Sequence, residues 1–286
     1  MEYVTLNNGV KMPILGYGVY QIEKEICESC VLNALEVGYR SIDTAQAYLN
    51  ETAVGQAIAK SSVPREKIFL TTKIWISNAG YKKAKQSIER SLADLQTDYL
   101  DLLLIHQPLN DYYGTYQAMG EFYHQGKIRA IGVSNFYGDR FIDLAEFTDV
   151  PPAINQVELH PFYQQNELRK IMENYNTVAE AWSPLAEGKN NLFTHDVLTT
   201  IGAKYQKTAA QVTLRYLTQL GVVVIPKTVH KERMIENLTI FDFKLNDEEM
   251  AEIAQLDTHQ PLFMDHYDPS TVQHLTELGK IETMDN

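Results

Sequence analysis

Cysteine is scarce in this sequence. The 286 residues include two, Cys27 and Cys30, which excludes a fold held together by several disulfides. Their C-x-x-C spacing is compatible with a redox pair. They lie, however, in a helical pattern in which Ile26, Cys30, Ala34 and Val37 share one face. The pattern favours two reduced thiols that pack in the core of a cytoplasmic protein.

Long apolar runs are also missing. The longest ones, such as LLLI and VVVI, are far too short to cross a bilayer. The N-terminal stretch MEYVTLNNGVKMP has neither the basic region nor the apolar region of a secretory signal. We therefore expect a protein without membrane contact.

Basic residues are in the minority, with 25 Lys and Arg against 37 Asp and Glu, and a formal net charge of −12. Nucleic-acid binding normally requires a basic stripe, so the charge argues against nucleic acid as a partner. A local basic pocket stays compatible with it. The hydrophobic share of 44% is enough for a large core.

Three common sequence motifs are absent. The chain has no GxGxxG of a Rossmann domain, no P-loop and no GxSxG nucleophile elbow. Any dinucleotide must therefore be held by a different arrangement.

What the chain does have is a regular alternation of short β-rich runs and helical patterns. Apolar residues recur at helical spacing between the runs, for example Ala84, Ile88, Leu92 and Leu95. Several runs are apolar on successive residues, which is typical of parallel strands covered on both faces. The runs are ILGYGVY (14–20), RSIDTA (40–45), IFLTTKI (68–74), LDLLLIH (100–106), IRAIGVS (128–134), AINQVEL (153–159), TVAEAWS (177–183) and VVVIPKT (222–228).

Eight such repeats predict an α/β fold, a (β/α)8 TIM barrel, in one domain spanning 1–286. An open, doubly wound sheet remains an alternative. Asn8-Gly9 predicts the turn of an N-terminal β-hairpin. Asn246 and Glu249 have the spacing of a capping box and predict an extra C-terminal helix. Residues 258–286 show no strong pattern and are predicted to be a tail over the barrel surface.

In a (β/α)8 barrel, catalytic groups lie at the C-terminal ends of the strands. Taken alone, the residue at each of these ends has an ordinary structural explanation, as a buried histidine, a solvated lysine, a packing aromatic or a cap. Together they bring several polar groups to one face. The predicted set is Asp43, Tyr48, Lys73, His106, Ser134, Asn135, Gln156, His160, Trp182, Ser183, Lys227 and Thr228.

Four of these residues can form a proton-donating site. A lysine beside a phenol favours the phenolate, so Lys73 is expected to lower the pKa of Tyr48. Asp43 would keep Lys73 charged and oriented, and His106 would offer a second hydrogen bond at the same place. Tyr48 then acts as the acid for a substrate oxygen.

A metal hydrolase is an alternative use of the same strand ends. His106, His160, Asp43 and a modified Lys73 are possible ligands. The first barrel strand, ILGYGVY, lacks the HxH pair expected in such enzymes, so no metal is predicted.

Seven stretches, in order, resemble the aldo-keto reductases. They cover about residues 5 to 257 and are most similar to bacterial members that act on 2,5-diketo-D-gluconate. They are GYRSIDTAQAYLNE, FLTTKIW, DLLLIHQP, AIGVSNF, INQVELHPF, AWSPLAEG and VVVIPKTVHKERMIEN.

The resemblance implies a barrel that binds NADPH without a Rossmann fold and reduces a small carbonyl substrate. It implies a catalytic tetrad of Asp43, Tyr48, Lys73 and His106, with Tyr48 giving the proton as nicotinamide gives the hydride. It also implies a set of residues around the nicotinamide and pyrophosphate, which includes Asp43. The others are Ser134, Asn135 and Gln156 at the carboxamide, Trp182 on the ring, and Ser183 and Leu185 at the pyrophosphate.

The end of the eighth run favours NADPH over NADH. Lys227, Thr228 and Arg233 place two cations and a hydroxyl at one strand-to-helix junction of an acidic protein. This matches the family's site for the adenosine 2′-phosphate. The resemblance adds three residues to this cofactor site, namely Val229 beside Thr228, and Glu236 and Asn237 near the adenine.

The substrate pocket departs from the family pattern. The predicted pocket residues are Tyr20, Trp75, His106 and Gln107, and Gln107 stands where tryptophan is common. The segment SPLAEGKNNLF is short, so a less enclosed cofactor is expected. A non-catalytic NADPH-binding protein on the same fold remains the alternative function, and a monomer is expected by family analogy.

Overall fold

The structure, a computed structural model, describes residues 1–281. Its strands are β1 Tyr3–Thr5, β2 Lys11–Pro13, β3 Tyr17–Gly18, β4 Ser41–Asp43, β5 Phe69–Ile74, β6 Leu102–Ile105, β7 Ile131–Ser134, β8 Ile154–Glu158, β9 Val178–Trp182 and β10 Val223–Val224. Its helices are α1 Lys24–Val37, α2 Glu51–Lys60, α3 Tyr81–Asp94, α4 Tyr112–His124, α5 Gly138–Glu146, α6 Asn166–Glu173, α7 Asp196–Tyr205, α8 Ala209–Gln219, α9 Lys231–Leu238, α10 Asp247–Ala254 and α11 Pro269–Ile281.

Strands β3 to β10 form the predicted (β/α)8 barrel. They pair in chain order, and every pairing is parallel. A parallel bridge between Leu15 and Val224 joins the first strand region to the last. All eight predicted runs contain a strand, although each strand is shorter than its run. The fold prediction is therefore confirmed, and the open sheet is not adopted.

The predicted N-terminal hairpin covers the N-terminal ends of the barrel strands. β1 and β2 pair antiparallel around Gly9, whose φ of 85° suits glycine. Asn8 Nδ2 donates to the carbonyl of Arg129, just before β7, at 2.8 Å. Leu6 and Met12 join the apolar cluster inside the barrel. The other buried members of that cluster are Phe69, Leu102, Leu104, Ala130, Ala153, Ile154 and Val223.

The helices bury one face against the outside of the barrel. In α3 the predicted face is confirmed, with Ala84, Ile88 and Leu92 buried. In α1 the prediction is wrong by about one position. Ile26 is 42% exposed, and the face turned inward carries the buried residues Cys27, Cys30, Val31, Ala34 and Leu35. Both cysteines are free thiols, as the sequence predicted.

The C-terminal region is more ordered than its sequence indicated. α10 begins at the predicted Asn246–Glu249 capping box, in which each side chain binds the other residue's backbone N–H. The predicted featureless tail contains α11, and Leu275 from this helix packs with Trp75 and Ile76 after β5. The tail therefore reaches the C-terminal end of the barrel. The part of the tail prediction that concerns 282–286 lies outside the described residues.

No helix within residues 1–281 has the length and apolar character needed to span a membrane.

Candidate active site

The turn after β4 positions Tyr48. A short 3₁₀ helix, Gln46–Tyr48, ends at Leu49, whose φ is positive at 55°. Thr44 Oγ1 donates to Asn50 Oδ1 at 2.8 Å, and Asn50 Nδ2 donates to the carbonyl of Val19 at 3.1 Å. These buried bonds tie the turn to the neighbouring strand region. The half-buried Tyr48 is thereby held over the end of the barrel.

Asp43, Lys73 and Tyr48 form a chain of contacts. Lys73 Nζ lies 2.5 Å from Asp43 Oδ1, and both side chains are buried. The same ammonium donates to the carbonyl of Thr44 at 3.0 Å and to the Tyr48 hydroxyl at 3.3 Å. All three N–H groups of Lys73 therefore have acceptors. The sequence prediction that Asp43 orients Lys73 toward Tyr48 agrees with this geometry.

The pKa of Tyr48 differs from the prediction. Burial raises the pKa of Tyr48 to about 12, and the opposing effect of Lys73 is smaller. Burial also works against the charge of Lys73, but Asp43, Tyr48 and Glu180 together outweigh it and raise the pKa of Lys73 above its ordinary value. The sequence prediction considered the cation without the extent of burial. Tyr48 is consequently a protonated phenol beside a charged lysine at neutral pH.

His106 lies beside the Tyr48 ring at the end of β6. Its ring centroid is 5.5 Å from that of Tyr48 and 5.1 Å from that of Trp75, both in edge-on geometry. Burial, with the nearby Lys73, lowers the pKa of His106 well below its ordinary value. Its imidazole is therefore neutral at neutral pH. Among the described residues, no group hydrogen-bonds His106 Nδ1.

Next to the predicted tetrad, the predicted carboxamide residues are connected by hydrogen bonds. Ser134 Oγ donates to the carbonyl of Gln156 at 2.8 Å. Asn135 Nδ2 donates to the carbonyl of His106 and to Ser134 Oγ, both at 3.1 Å. Trp182 Nε1 donates to Asn135 Oδ1 at 2.9 Å. These four predicted residues are thus brought together with His106.

The predicted phosphate residues lie at the β10–α9 junction. The Tyr17 hydroxyl donates to the carbonyl of buried Thr228 at 2.5 Å, and Thr228 Oγ1 accepts from the backbone N–H of His230 at 3.1 Å. Lys227 and Arg233 are exposed. In the described part of the chain, neither forms an ion pair. Two available cations therefore flank a fixed turn.

The other residues predicted at this end vary in exposure. Val229 is 38% exposed, and Asn237 is buried. Glu236 is half-buried and accepts from Thr208 Oγ1 at 2.6 Å. Farther along the strand ends, Ser183 has a positive φ of 48°, and half-buried Leu185 packs on the outer core. Both immediately precede the irregular segment 186–194.

The segment 186–194 is connected to the C-terminal tail. Lys189 Nζ donates to the carbonyl of Leu262 at 2.7 Å and lies 3.9 Å from the centroid of the Phe263 ring. The Phe263 ring in turn lies edge-on to Trp182 at 5.7 Å. The segment 186–194 and the C-terminal tail thus meet at Trp182, the residue predicted to stack on the nicotinamide ring.

The predicted pocket residues lie around the predicted tetrad. Tyr20 is 52% exposed, with its ring 5.0 Å from that of Tyr48. Trp75 is buried, and its Nε1 has no partner among residues 1–281. Gln107 is buried as well, and its Oε1 lies 2.9 Å from His266 Nε2. One side of the pocket is therefore closed by the polar pair Gln107 and His266, and His266 belongs to the C-terminal tail.

The geometry gives no support to the metal-site alternative. His160 Nε2 lies 3.1 Å from Glu158 Oε1, and both residues are buried. Within residues 1–281, no group of three or more His, Cys, Asp or Glu side chains is arranged to hold a metal ion.

Two residues near the site were missed from the sequence. Glu180 on β9 is fully buried, and its Oε2 accepts from Gln156 Nε2 at 3.0 Å. A signal existed, since Glu180 is two positions from Trp182 and must share its side of the strand. His266 had no such signal, because its partner Gln107 is 159 positions away.

The family follows from comparison with known proteins. Residues 15–258 match the model of the aldo/keto reductase family. The chain belongs to the aldo-keto reductases. The barrel described above is thus that of a member of an oxidoreductase family.

Individual relatives agree with this assignment. The chain is 47% identical to glyoxal reductase of Bacillus subtilis over 258 residues, which are 89% of this chain and 92% of that protein. It is 43% identical to methylglyoxal reductase DkgA of Escherichia coli over 89% of this chain and 93% of that one. The crystal structure of a Bombyx mori aldo-keto reductase in complex with NADP is similar, with a TM-score of 0.87 and 32% sequence identity, and the match covers 93% of this chain and 95% of that one.

Proposed function

We propose that the protein reduces small carbonyl compounds to alcohols with NADPH, and that Tyr48 gives the proton. The substrates are aldehydes, α-dicarbonyls and keto-sugars. The observation that supports this most directly is the contact chain from Asp43 through Lys73 to the Tyr48 hydroxyl, with Nζ 2.5 Å from the carboxylate and 3.3 Å from the phenol.

Each member of the tetrad has a defined part in proton transfer. Tyr48 is protonated at neutral pH, because its pKa is raised to about 12 by burial. When it gives its proton to the carbonyl oxygen, a phenolate is left next to the Lys73 ammonium, which stabilises it. Asp43 holds that ammonium in place. Neutral His106 donates one ring N–H to the same oxygen and orients the carbonyl.

The residues at the two ends of the site fit a dinucleotide. Bound NADPH supplies the hydride. At one end, the exposed cations Lys227 and Arg233 hold the 2′-phosphate beside Thr228 and Val229, with Glu236 and Asn237 near the adenine. At the other, Ser134, Asn135 and Gln156 bind the carboxamide, and Trp182 stacks on the ring. Between these two ends, Ser183 and Leu185 contact the pyrophosphate. Asp43 borders the nicotinamide.

The pocket suits small polar carbonyl compounds. Tyr20, Trp75 and His106 supply aromatic walls, whereas Gln107 and His266 supply a polar side. Relatives named glyoxal reductase and methylglyoxal reductase are consistent with α-dicarbonyl substrates.

The wider setting is proposed on the same basis. We propose a cytoplasmic monomer whose residues 1–286 form one domain and whose partner is the small substrate. The net charge of −12 makes a nucleic-acid partner unfavourable.

The test is NADPH oxidation with methylglyoxal, phenylglyoxal, 4-nitrobenzaldehyde and a keto-sugar acid, with NADH alongside. We expect turnover that prefers NADPH and falls by about 100-fold or more in Tyr48→Phe. Unchanged activity in that variant would refute the acid assignment. Tight NADPH binding without turnover of any substrate would instead favour a non-catalytic NADPH-binding protein.

A further inference from the structure

Glu180 carries a carboxyl group that is buried inside the barrel and that the proposed mechanism does not use. It lies on β9 between Val178 and Trp182, on the side of the strand that faces the barrel axis, and has no exposed surface. Its register partner on β8 is Gln156, and that on β10 is apolar Val223. Gln156 is therefore its immediate polar neighbour.

The amide nitrogen of Gln156 bridges two carboxyl groups. Gln156 Nε2 lies 3.0 Å from Asp43 Oδ2 and 3.0 Å from Glu180 Oε2. An amide nitrogen carries two hydrogens, so each of these two oxygens receives one. A flipped amide would bring Gln156 Oε1 against the Asp43 carboxylate oxygen with no hydrogen between them. The two acceptors thus fix which end of the amide points into the barrel.

This arrangement leaves one acceptor of Gln156 for a ligand. Gln156 Oε1 accepts no hydrogen bond from the residues that the structure describes. Because Nε2 already donates to Asp43 and Glu180, the side-chain group that Gln156 can offer to a bound molecule is its amide oxygen, Oε1. Such an oxygen takes an N–H donor.

Glu180 is a poor choice for stability alone. Its Oε1 has no partner within the described residues, and burying an unsatisfied carboxyl group is unfavourable. A protein with a well-packed apolar residue at this position would normally be at least as stable. The hydrogen bond between Glu180 and Gln156 therefore indicates that Glu180 serves to orient the Gln156 amide.

We propose that Glu180 is a positioning residue for the cofactor, which fixes the Gln156 amide so that its Oε1 accepts from the N–H of the nicotinamide carboxamide. The inference rests on the proposed function, since it assumes that Gln156 lies at the carboxamide. Glu180 acts through Gln156 and touches neither substrate nor cofactor.

The probe is a pair of cofactors that differ at the carboxamide. NADPH carries an amide with N–H donors, whereas its 3-acetylpyridine analogue carries a methyl ketone and has none. If Glu180 fixes Gln156 Oε1, its loss weakens the binding of NADPH and leaves the binding of the analogue nearly unchanged. A general loss of packing weakens both.

Two variants of the full chain separate orientation from folding. Glu180→Met removes the acceptor at similar length, and Glu180→Gln keeps an oxygen that can accept from Gln156 Nε2. Isothermal titration calorimetry is expected to give a roughly 3- to 10-fold weaker NADPH affinity for Glu180→Met, with less than a 2-fold change for the analogue. Glu180→Gln is expected to restore most of the NADPH affinity.

The variant Gln156→Met provides the matched background. There, Glu180→Met is expected to cause no further loss of NADPH affinity, because the residue through which it acts is gone. Equal losses for both cofactors, or a loss that persists in Gln156→Met, would overturn the proposal. So would unchanged NADPH affinity in Glu180→Met.

Binding and turnover are measured separately, so the two proposals can fail separately. Absent turnover with NADPH binding intact would refute the proposed catalysis and leave this test valid. A wild-type protein that binds NADPH no more tightly than the analogue would overturn the role of Gln156, and with it that of Glu180, whatever the activity.

Discussion

Trp182 Nε1 donates to Asn135 Oδ1 at 2.9 Å, across the gap between β9 and the loop after β7. Both residues are proposed cofactor ligands, yet here they bind each other. Asn135 Nδ2 is also occupied, by the carbonyl of His106 and by Ser134 Oγ. For Asn135 Oδ1 to bind the cofactor, a cofactor donor must therefore either replace the Trp182 indole N–H or share this oxygen with it.

This exchange predicts the behaviour of two Trp182 variants. Trp182→Phe keeps an aromatic face and removes the indole donor, so we expect NADPH to bind about 2- to 5-fold more tightly. Trp182→Ala removes the face as well and is expected to weaken binding. Titration calorimetry checks both. Equal weakening in the two variants would show that the bond to Asn135 does not compete with the cofactor.

The buried pair Asp43–Lys73 makes a prediction about stability. Lys73→Met leaves Asp43 buried without its cation, which is expected to cost about 3–5 kcal/mol in free energy of unfolding. Asp43→Asn combined with Lys73→Met removes both charges and should regain part of that loss. Urea denaturation at neutral pH measures both. A double variant less stable than Lys73→Met would contradict the explanation.

The strand ends were the most predictable part of this protein. Parallel strands bring their C-terminal ends to one face, so Asp43, Lys73 and His106 could be grouped from the alternation of runs alone. Glu180 could have been added by the same rule, since it is two positions from Trp182. Its link to Gln156, by contrast, depends on the register of β8 and β9, which the sequence does not specify.

Other features depend on contacts far apart in the chain. His266 reaches Gln107, and Leu275 packs on Trp75, so the course of the tail is decided by tertiary contacts rather than by a local pattern. The pKa of Tyr48 was predicted in the wrong direction because a motif identifies Lys73 and does not report how deeply the phenol is buried.

Glu180 and Glu51 predict how stability depends on pH. Burial raises the pKa of Glu180 to about 8, with Asp43 on β4 adding to the shift, while Gln156 and Lys73 on β5 oppose it. Burial likewise raises the pKa of Glu51 to about 7. The ordinary value for both is 4.5. The folded state therefore holds these two protons more tightly than the unfolded state.

The sign of the pH effect follows from linkage. The contribution of these groups to the free energy of unfolding is fully present below about pH 4.5 and is lost as pH rises through about 7 and then about 8. Urea midpoints should fall over that range, and Glu180→Gln, which cannot titrate, should flatten the upper part of the fall. If the variant keeps the same slope as the wild type, another group causes it.

The last prediction concerns the preference for NADPH. Lys227, next to Thr228 in the chain, and Arg233, in α9, are exposed cations. Lys231, also in α9, is already paired, with its Nζ 2.7 Å from Glu36 Oε2. Lys227→Ala and Arg233→Ala are expected to weaken NADPH binding by about 5- to 20-fold each, with little effect on NADH, because the 2′-phosphate is what they contact. Lys231→Ala is the matched control and should change neither.

Salt provides an independent check of this assignment. Ion contacts at an exposed site are screened, so the wild-type preference for NADPH should shrink between low and high ionic strength. The Lys227→Ala and Arg233→Ala variants should show a smaller dependence on salt than the wild type. Equal weakening of NADPH and NADH in these variants would place the two cations at the pyrophosphate or the pocket instead of the 2′-phosphate.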